Sequence, residues 1–522
     1  MNRDFVFKNI GSVLKMNASL FSHHPALFFY NKKINYSELY QMVIRLAQGM
    51  RNLGIKKEDK VAIFLSNCPE FVISYFAIVS LGAVAVPINN MLKEQELESI
   101  LQHSEAEIII TSIVYMEMVK KVVLNNRVYI KYIILTDGVL PGVLNLYEIV
   151  EHTSPLLDLE AIPEEAVASI LYTSGTTGEP KGVLLTHRNF LSNVRSCVQA
   201  ISPGPKDNFI CILPMFHSFA FTVCILIPLC VGASVTIVDH IRPFRKVIRN
   251  VIKKKVTIFV AIPSVYNILA HIHIPLAFRE RVFKLIGSVR LCISGAAALP
   301  VEVLEAFEEK FKVPLLEGYG LTEASPVVSL NPLNGIRKPG SVGLPLEDVE
   351  VKVVDENGKE LPREEIGELL VKGPNVMKGY FKDESATKET LKEGWLYTGD
   401  LAKIDRDGYI YIVDRKKEMI NVRGLNVYPQ EIERVLNRHP KIKECAVIGV
   451  KDRFKGEVPK AFVVLKEEAV LKEREVIFYL RQQLALFKVP KYVEFVNSLP
   501  KTPSGKIAKK LLKQTQISDR QY

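Results

Sequence analysis

Cysteine is scarce in this sequence, and its placement matches neither a disulfide framework nor a metal-binding motif. Seven cysteines are scattered along 522 residues, their number is odd, and no Cys-x-x-Cys pair occurs. Such spacing predicts buried, reduced thiols. Residues 1–21 also lack the uninterrupted apolar core of a signal peptide, because polar or charged residues recur every few positions. We therefore expect no export and a cytoplasmic location.

Patterns typical of nucleic-acid binding are missing as well. The sequence has no zinc-finger spacing and no interleaving of aromatic and basic residues of the kind that RNA-binding modules use. Lysine and arginine number 68 against 57 acidic residues, and the net charge of +11 favours anionic ligands in general. We predict small anionic ligands and no nucleic-acid partner.

Long uncharged stretches are rare, and the one at 219–238 contains about twenty residues, enough to span a bilayer. Pro228 and Gly232 divide it into an apolar helix followed by a β-rich strand, as expected of a buried α/β unit. We predict no membrane span here. Peripheral contact with a membrane and the oligomeric state stay open.

The remaining pattern alternates apolar helical stretches with short β-branched runs, such as VAIFLS at 61–66 and VTIFVAIP at 256–263. This alternation predicts an α/β fold with parallel or mixed sheets. From about 341, short strands with Gly and Asp turns indicate β-hairpins. We predict a large N-terminal domain over 1–414, with a β-rich subdomain at about 341–414, and a small mobile α+β domain over 415–522.

The segment LYTSGTTGEPKGVLLTHRN, residues 171–189, has the composition of a phosphate-binding loop. It follows an apolar strand and combines three kinds of group. Glycines let backbone amides approach oxygens closely, hydroxyls donate hydrogen bonds, and a lysine supplies charge. These residues are Thr173, Ser174, Gly175, Thr176, Thr177, Gly178, Lys181 and Gly182. The loop does not match GxxxxGK[ST], so a common P-loop NTPase does not follow from it; a flexible surface turn is the alternative.

With its neighbouring motifs, this loop resembles the adenylate-forming superfamily of acyl-CoA synthetases, peptide-synthetase activating domains and beetle luciferases. The motifs are PMFHS (214–218), SGAAALP (294–300), EGYGLTEASP (317–326), GWLYTGDLAKID (394–405), DRKKEMINVRGLNVYPQEIE (414–433) and PKTPSGKI (500–507). The resemblance, greatest to fatty-acid–CoA ligases, implies an ATP-dependent acid–CoA ligase. Such an enzyme forms an acyl-adenylate and pyrophosphate, then a thioester and AMP, with ATP, Mg²⁺ and CoA as cofactors.

The resemblance also implies roles for the residues around the phosphates. Glu323 and Thr176 would hold Mg²⁺, and a carboxylate suits that hard cation. Thr322 would contact the α-phosphate. Lys506 would lie between the attacking carboxylate and the α-phosphate, where a cation offsets the repulsion of two anions.

The nucleoside and the CoA arm have candidate residues by the same resemblance. Asp400 would accept hydrogen bonds from the ribose hydroxyls, beside Arg415 and Ile412. Tyr319 would lie on the adenine face, among small or motif residues: Gly295, Ala296, Ala297, Glu317, Gly318 and Gly320. Lys417 falls at the hinge position, and Gly424 would line the passage for the pantetheine arm.

The sequence says less about the acid substrate than about ATP. His217 resembles the residue at the mouth of the acid pocket, although a packed histidine fits equally. The stretch after it contains no acidic residue that could hold an amino acid's ammonium. An apolar wall favours medium- to long-chain fatty acids, since each buried CH₂ contributes roughly 0.8 kcal/mol. An aryl acid, a carrier-protein thiol as acceptor and a catalytically silent relative stay open. In the resemblance, Asn421 stands where luciferases and plant coumarate ligases carry a lysine, which argues against light emission.

Overall fold

The computed structural model describes residues 7–124, 127–156, 161–173, 180–272, 287–416, 418–422, 425–452, 456–484, 486–502 and 506–518. The chain packs into two compact units, one of 1–350 and 371–396 and the other of 351–370 and 397–522. These bounds follow packing density and do not locate a movable joint. The predicted domain boundary between 414 and 415, and the mobility of the smaller domain, therefore stay predictions.

The first unit contains a nine-stranded sheet whose central strands are parallel. Its order is β16-β15-β14-β13-β12-β10-β11-β1-β2, with antiparallel pairing at β2, β15 and β16. The strands are β1 (Pro25–Phe29), β2 (Lys32–Asn35), β10 (Asn208–Cys211), β11 (Ser234–Ile237), β12 (Ile258–Ala261), β13 (Leu291–Ser294), β14 (Leu315–Gly320), β15 (Val327–Leu330) and β16 (Leu344–Pro345). The central strands are buried along their whole length, as expected of parallel strands covered on both faces.

A second sheet in the same unit has eight strands in the order β19-β9-β8-β4-β3-β5-β6-β7. They are β3 (Lys60–Phe64), β4 (Val84–Pro87), β5 (Ile108–Thr111), β6 (Tyr132–Leu135), β7 (Leu144–Asn145), β8 (Val167–Thr173), β9 (Lys181–Thr186) and β19 (Gly379–Tyr380). β20 (Leu391–Lys392) pairs with the first residues of β21 (Trp395–Ile404). The antiparallel hairpin of β8 and β9 carries the predicted phosphate loop at its turn.

Helices connect these strands, as the alternating pattern predicts. Within the described part of the first unit they are Gly11–Leu20, Tyr36–Asn52, Pro69–Ser80, Glu94–Ser104, Met116–Leu124, Leu146–His152, His187–Ile201, Ser218–Ala220, Ile227–Val231, Phe244–Lys254, Pro263–His271, Val301–Phe311 and Glu384–Thr390. Asn35 and Glu38 form a capping box at the start of Tyr36–Asn52. Every residue of Pro69–Ser80 except Glu70 is buried, so this helix belongs to the core on all sides.

The uncharged stretch at 219–238 divides as the sequence predicts. A helical segment formed by Ser218–Ala220, a π-helical turn at Phe221–Leu226 and Ile227–Val231 ends at Gly232, whose φ is +79°. Strand β11 follows and lies inside the nine-stranded sheet. Among the residues that the structure describes, no helix is both long and apolar enough to cross a membrane.

The second unit ends in a small α+β arrangement. The strands of the whole unit are β17 (Glu350–Val354), β18 (Gly367–Lys372), β21, β22 (Ile410–Arg415), β23 (Ile420–Val422), β24 (Leu425–Val427), β25 (Ile442–Asp452), β26 (Gly456–Leu465) and β27 (Tyr492–Phe495). The first three begin or end just beyond the unit's bounds. Its described helices are Pro429–Asn437, Glu473–Arg481 and Lys509–Ser518.

Alternate residues of β25 and β26 enter two separate apolar cores. Val447 and Val463 pack with the helices Pro429–Asn437 and Glu473–Arg481, whereas Ile448 and Phe462 pack with Leu512 of the last helix. The period of two along each strand explains this division. The predicted fold class, a large α/β portion followed by a small α+β portion, is confirmed.

Candidate active site

The hairpin of β8 and β9 fixes both ends of the predicted phosphate loop. Thr173, the last residue of β8, lies directly opposite Lys181, the first residue of β9. The two ends of the loop are therefore held at one strand spacing. The loop residues Ser174, Gly175, Thr176, Thr177 and Gly178 lie outside the described residues.

Lys181 lies against the side chains of Tyr380, at the end of β19, and of Asp383, three residues later. Its Nζ is 4.0 Å from Oδ2 of Asp383 and 5.0 Å from the centre of the Tyr380 ring. These groups border a cavity of about 240 Å³, which His103 and Tyr172 also line. The lysine thus has an acidic and an aromatic partner, so its ammonium is held near the end of the loop.

Glu323 lies in a short 3₁₀ turn, Thr322–Ala324, that tertiary hydrogen bonds hold in place. Its carbonyl accepts a hydrogen bond from the Met377 amide at 2.8 Å, and its Oε1 accepts one from the Tyr380 hydroxyl at 3.0 Å. Burial, together with the charge of Glu323, raises the pKa of Tyr380, so the phenol stays a neutral donor. The Thr322 hydroxyl is 3.2 Å from the Ser218 hydroxyl.

The donor set at Glu323 fits the predicted Mg²⁺. In the described part of the chain, no three His, Cys, Asp or Glu side chains cluster as a metal cage. Mg²⁺ is commonly held by one or two carboxylates, with waters and substrate phosphates completing its shell. A single glutamate, oriented by the Tyr380 hydroxyl, meets that requirement.

The predicted adenine-binding residues lie after one strand and within its parallel neighbour. β13 leads into Gly295, Ala296 and Ala297, and β14 carries Glu317, Gly318, Tyr319 and Gly320. Ser294 pairs with Glu317, so the ends of both strands meet at one edge of the sheet. Oε1 of Glu317 accepts a hydrogen bond from the Leu299 amide at 2.8 Å, which ties the loop after β13 to β14.

Close packing explains the small residues at two of these positions. A Cβ on Gly320 would lie 2.1 Å from the Pro326 carbonyl oxygen, a distance that backbone atoms cannot relieve cheaply. A Cβ on Gly295 would lie 3.0 Å from the ring of Phe219. Phe219, two residues after His217, therefore lies next to the predicted nucleoside pocket.

His217 caps the start of the helical segment that contains Phe219. Its Nδ1 accepts a hydrogen bond from the Phe219 amide at 3.3 Å, and the residue is half-buried. A neutral ring in this arrangement carries its proton on Nε2. The capping contact gives His217 a structural role; its role at the acid stays a prediction.

Asp400 and Arg415 lie opposite each other on the hairpin of β21 and β22, in the second unit. Nε of Arg415 is 2.6 Å from Oδ1 of Asp400, whose side chain is 3% exposed. Ile412 lies on the same hairpin, opposite Ala402. The pair therefore presents a buried acceptor carboxylate whose charge is balanced by the guanidinium.

Lys506 shares the electrostatic environment of this pair. Removal from water lowers the pKa of Lys506 first, repulsion by Arg415 lowers it further, and Asp400 opposes both. The residue as a whole stays exposed. The Lys506 carbonyl accepts a hydrogen bond from the Thr502 amide at 2.6 Å, which closes the loop that carries it. The predicted residues Lys417 and Gly424 lie outside the described residues.

Sequence reasoning missed Asp414, whose carboxylate is completely buried next to Arg415. Its two oxygens accept hydrogen bonds from the amides of Arg415 at 2.7 Å and Gln430 at 2.9 Å. Burial raises its pKa to about 6 despite these bonds. Tyr380 was missed as well. Asp414 begins the motif at 414–433, but the motif does not show that its carboxylate is buried, and no motif contains Tyr380. The partners that define both roles lie 16 and 57 positions away.

Two models of known protein families match most of this chain. The profile of the AMP-binding enzymes matches residues 14–381, and that of the AMP-binding enzyme C-terminal domain matches 431–506. This chain belongs to the AMP-binding enzyme family. The predicted superfamily is thereby confirmed. The chain is an AMP-forming acid–CoA ligase that works through an acyl-adenylate and uses ATP, Mg²⁺ and CoA.

The relatives differ in the acids that their names give. A long-chain-fatty-acid–CoA ligase of Bacillus subtilis is 36% identical over 537 residues, covering 97% of this chain and 94% of the relative. 4-Coumarate–CoA ligase 1 of Solanum tuberosum is 36% identical over 515 residues, covering 95% and 92%. The structure of ATP-bound MatB from Rhodopseudomonas palustris has a TM-score of 0.90 at 32% identity, covering 97% and 98%.

Proposed function

We propose that this ligase acts on medium- to long-chain fatty acids and transfers the acyl group to CoA. The observation that carries the proposal is the helical segment 218–231 behind His217, which contains no charged residue and whose members are mostly buried. A carboxylate held at His217 would have its chain against an apolar wall. Each methylene buried there contributes roughly 0.8 kcal/mol. Long-chain ligases among the relatives support this choice.

The proposed reaction consists of an adenylyl transfer followed by an acyl transfer. A carboxylate oxygen attacks the α-phosphorus of ATP and pyrophosphate leaves. The CoA thiol then loses its proton and attacks the carbonyl carbon, and AMP leaves. We assign Lys506 to the first step, where its ammonium lies between two anions and offsets their repulsion.

The remaining roles follow the chemistry of each side chain. Glu323 and Thr176 hold Mg²⁺, which neutralises phosphate charge when bound. The phosphate loop with Lys181 holds the pyrophosphate portion, and Thr322 contacts the α-phosphate. Tyr319 covers the adenine, and Asp400 accepts from the ribose hydroxyls. Lys417 as the hinge and Gly424 as the wall of the CoA passage complete the proposal, together with a mobile domain from 415 onward.

The test is acid-dependent pyrophosphate release with ATP and Mg²⁺, run across saturated acids of increasing length plus benzoate and cinnamate, each with and without CoA. We expect the greatest kcat/KM on alkyl acids, rising with length up to the end of the pocket, and a CoA-dependent thioester. The Lys506→Ala variant supplies the background rate.

Three results would contradict parts of this proposal. A preference for cinnamate or benzoate would replace the fatty acid by an aryl acid, as the coumarate ligases among the relatives allow. Pyrophosphate release without any CoA thioester would point to a carrier-protein thiol as the acceptor. No release with any acid would indicate a silent relative. A cytoplasmic location and peripheral membrane contact stay predictions.

A further inference from the structure

Lys509 is a largely buried lysine that no part of the proposed reaction uses. It begins the helix Lys509–Ser518, three residues after Lys506, and its side chain is only 14% exposed. Its Nζ is 3.0 Å from Oε2 of Glu418 and 2.9 Å from Oε1 of Glu433. These carboxylates raise its pKa, so it stays charged in the fold. Removing a buried ammonium from water is unfavourable unless such partners compensate.

The two partners belong to segments next to the nucleoside-binding pair. The Glu418 amide donates to the Arg415 carbonyl at 2.9 Å, so Glu418 lies one turn after Arg415. Arg415 in turn contacts Asp400. Glu433 lies on the helix Pro429–Asn437 and accepts a hydrogen bond from the Val447 amide at 2.6 Å. A continuous set of contacts therefore runs from Lys509 through Glu418 to Arg415.

Other contacts hold the Lys506 loop to a different element. Lys501 pairs with Ile507 in a backbone bridge, and Nζ of Lys501 is 2.7 Å from Oε2 of Glu444 on β25. These bonds close the base of the loop and fix it to β25. The Lys509–Glu418 pair fixes the same segment to the turn at Arg415, which determines where Lys506 lies relative to Asp400.

We propose that Lys509 is a positioning residue for adenylation: it holds the segment that carries Lys506 against the turn after Arg415. The inference rests on the proposed function, because it takes Lys506 as the residue that acts between carboxylate and α-phosphate. Lys509 itself touches neither reactant. Small displacements of a group that must approach two reacting atoms lower the rate by up to about 10²-fold.

The test separates the two half-reactions in the full-length protein. Acid-dependent ATP–pyrophosphate exchange measures adenylation, and CoA-dependent consumption of synthetic acyl-adenylate measures thiolysis. For Lys509→Met we expect adenylation to fall about tenfold or more and thiolysis to change less than about twofold. Lys509→Arg, which keeps the charge, should recover most of the adenylation rate.

Lys510→Met is the matched control, because Lys510 is the adjacent lysine and is exposed. It should leave both half-reactions unchanged. Glu418→Gln removes one partner without touching Lys509, and we expect the same selective loss at smaller size. This second variant decides the question if Lys509→Met fails to fold.

Each outcome has a definite meaning. Equal loss of both half-reactions in Lys509→Met and in Glu418→Gln would show a general structural role and overturn the inference. Normal adenylation in both variants would overturn it as well. A wild-type protein with no adenylation on any acid would instead refute the proposed function, whatever Lys509 does.

Discussion

Glu323 and Thr322 in the first unit are held by different forces from Asp400 and Lys509 in the second unit. The partners of Glu323 and Thr322 are a backbone amide, a phenol and a hydroxyl, all of them neutral. Asp400 and Lys509 are held by ion pairs. Neutral hydrogen bonds depend little on pH or salt, whereas ion pairs depend on both.

This difference follows from where these residues lie in the fold. The Glu323 turn lies between β14 and β15 of a sheet buried on both faces, so packing already fixes its backbone. The Lys506 loop precedes the last helix, whose Leu512 enters a small apolar core, and the Arg415 turn begins at the exposed last residue of β22. Charged contacts supply the order there that packing supplies in the first unit.

The strongest test of this comparison is Lys506→Ala. Because only the first step brings two anions together, adenylation should fall by about 10²- to 10³-fold while thiolysis of a preformed acyl-adenylate is spared. Pyrophosphate exchange and adenylate consumption measure the two steps. Equal loss of both would remove Lys506 from its assigned role.

In the first unit, Glu323→Gln keeps the shape of the side chain and removes its charge. We expect the Mg²⁺ concentration for half-maximal adenylation to rise roughly 10- to 100-fold, because a neutral amide is a weaker ligand for a hard cation. Tyr380→Phe, which removes only the hydrogen bond to Glu323, should raise this concentration by less than Glu323→Gln does, because Tyr380 orients the ligand without binding the metal. An unchanged Mg²⁺ requirement in Glu323→Gln would place the metal elsewhere.

Buried His187 in the first unit predicts that the free energy of unfolding falls as the pH falls. His187 is buried, its Nδ1 accepts from the Ile10 amide, and burial lowers its pKa to about 4. Between pH 6.5 and 4 the unfolded chain therefore binds more protons, and stability is lost as the pH falls. Relative to His187→Gln, wild type should lose about 2 kcal/mol of unfolding free energy from pH 7 to pH 4.5, measured by denaturant titration. A constant difference would show that the fold does not shift the pKa of His187.

The buried carboxylate of Asp414 in the second unit predicts the opposite change, a free energy of unfolding that rises as the pH falls. Since burial raises its pKa to about 6 from 3.8, the folded protein binds more protons between those values. Relative to Asp414→Asn, wild type should therefore gain on the order of 1–2 kcal/mol as the pH falls from 7 to 4.5. The same denaturant titrations measure it. A loss of relative stability on acidification would mean that Asp414 is stabilised in its charged form.

Sequence reasoning succeeded where the residues of one short segment are enough to predict its structure. The split of 219–238 followed from Pro228 and Gly232, and the fold class followed from alternating periodicity. It failed for side chains whose role depends on distant partners. Tyr380 gave no signal, because only the pairing of β19 with β9 brings it to Glu323 and Lys181. Lys509 reads as one more lysine in a basic tail, since its burial is a tertiary property.

The sequence by itself determined the family and the acid–CoA ligase chemistry, because motif residues and local periodicity are properties of short segments. The tertiary structure alone decided which groups support them. It placed Asp414 out of water beside Arg415, paired Lys509 with Glu418 and Glu433, and set the phenol of Tyr380 on Glu323. The physical reason is that burial, pKa and ion pairing depend on every segment that packs around a group, and segments far apart in sequence supply those neighbours.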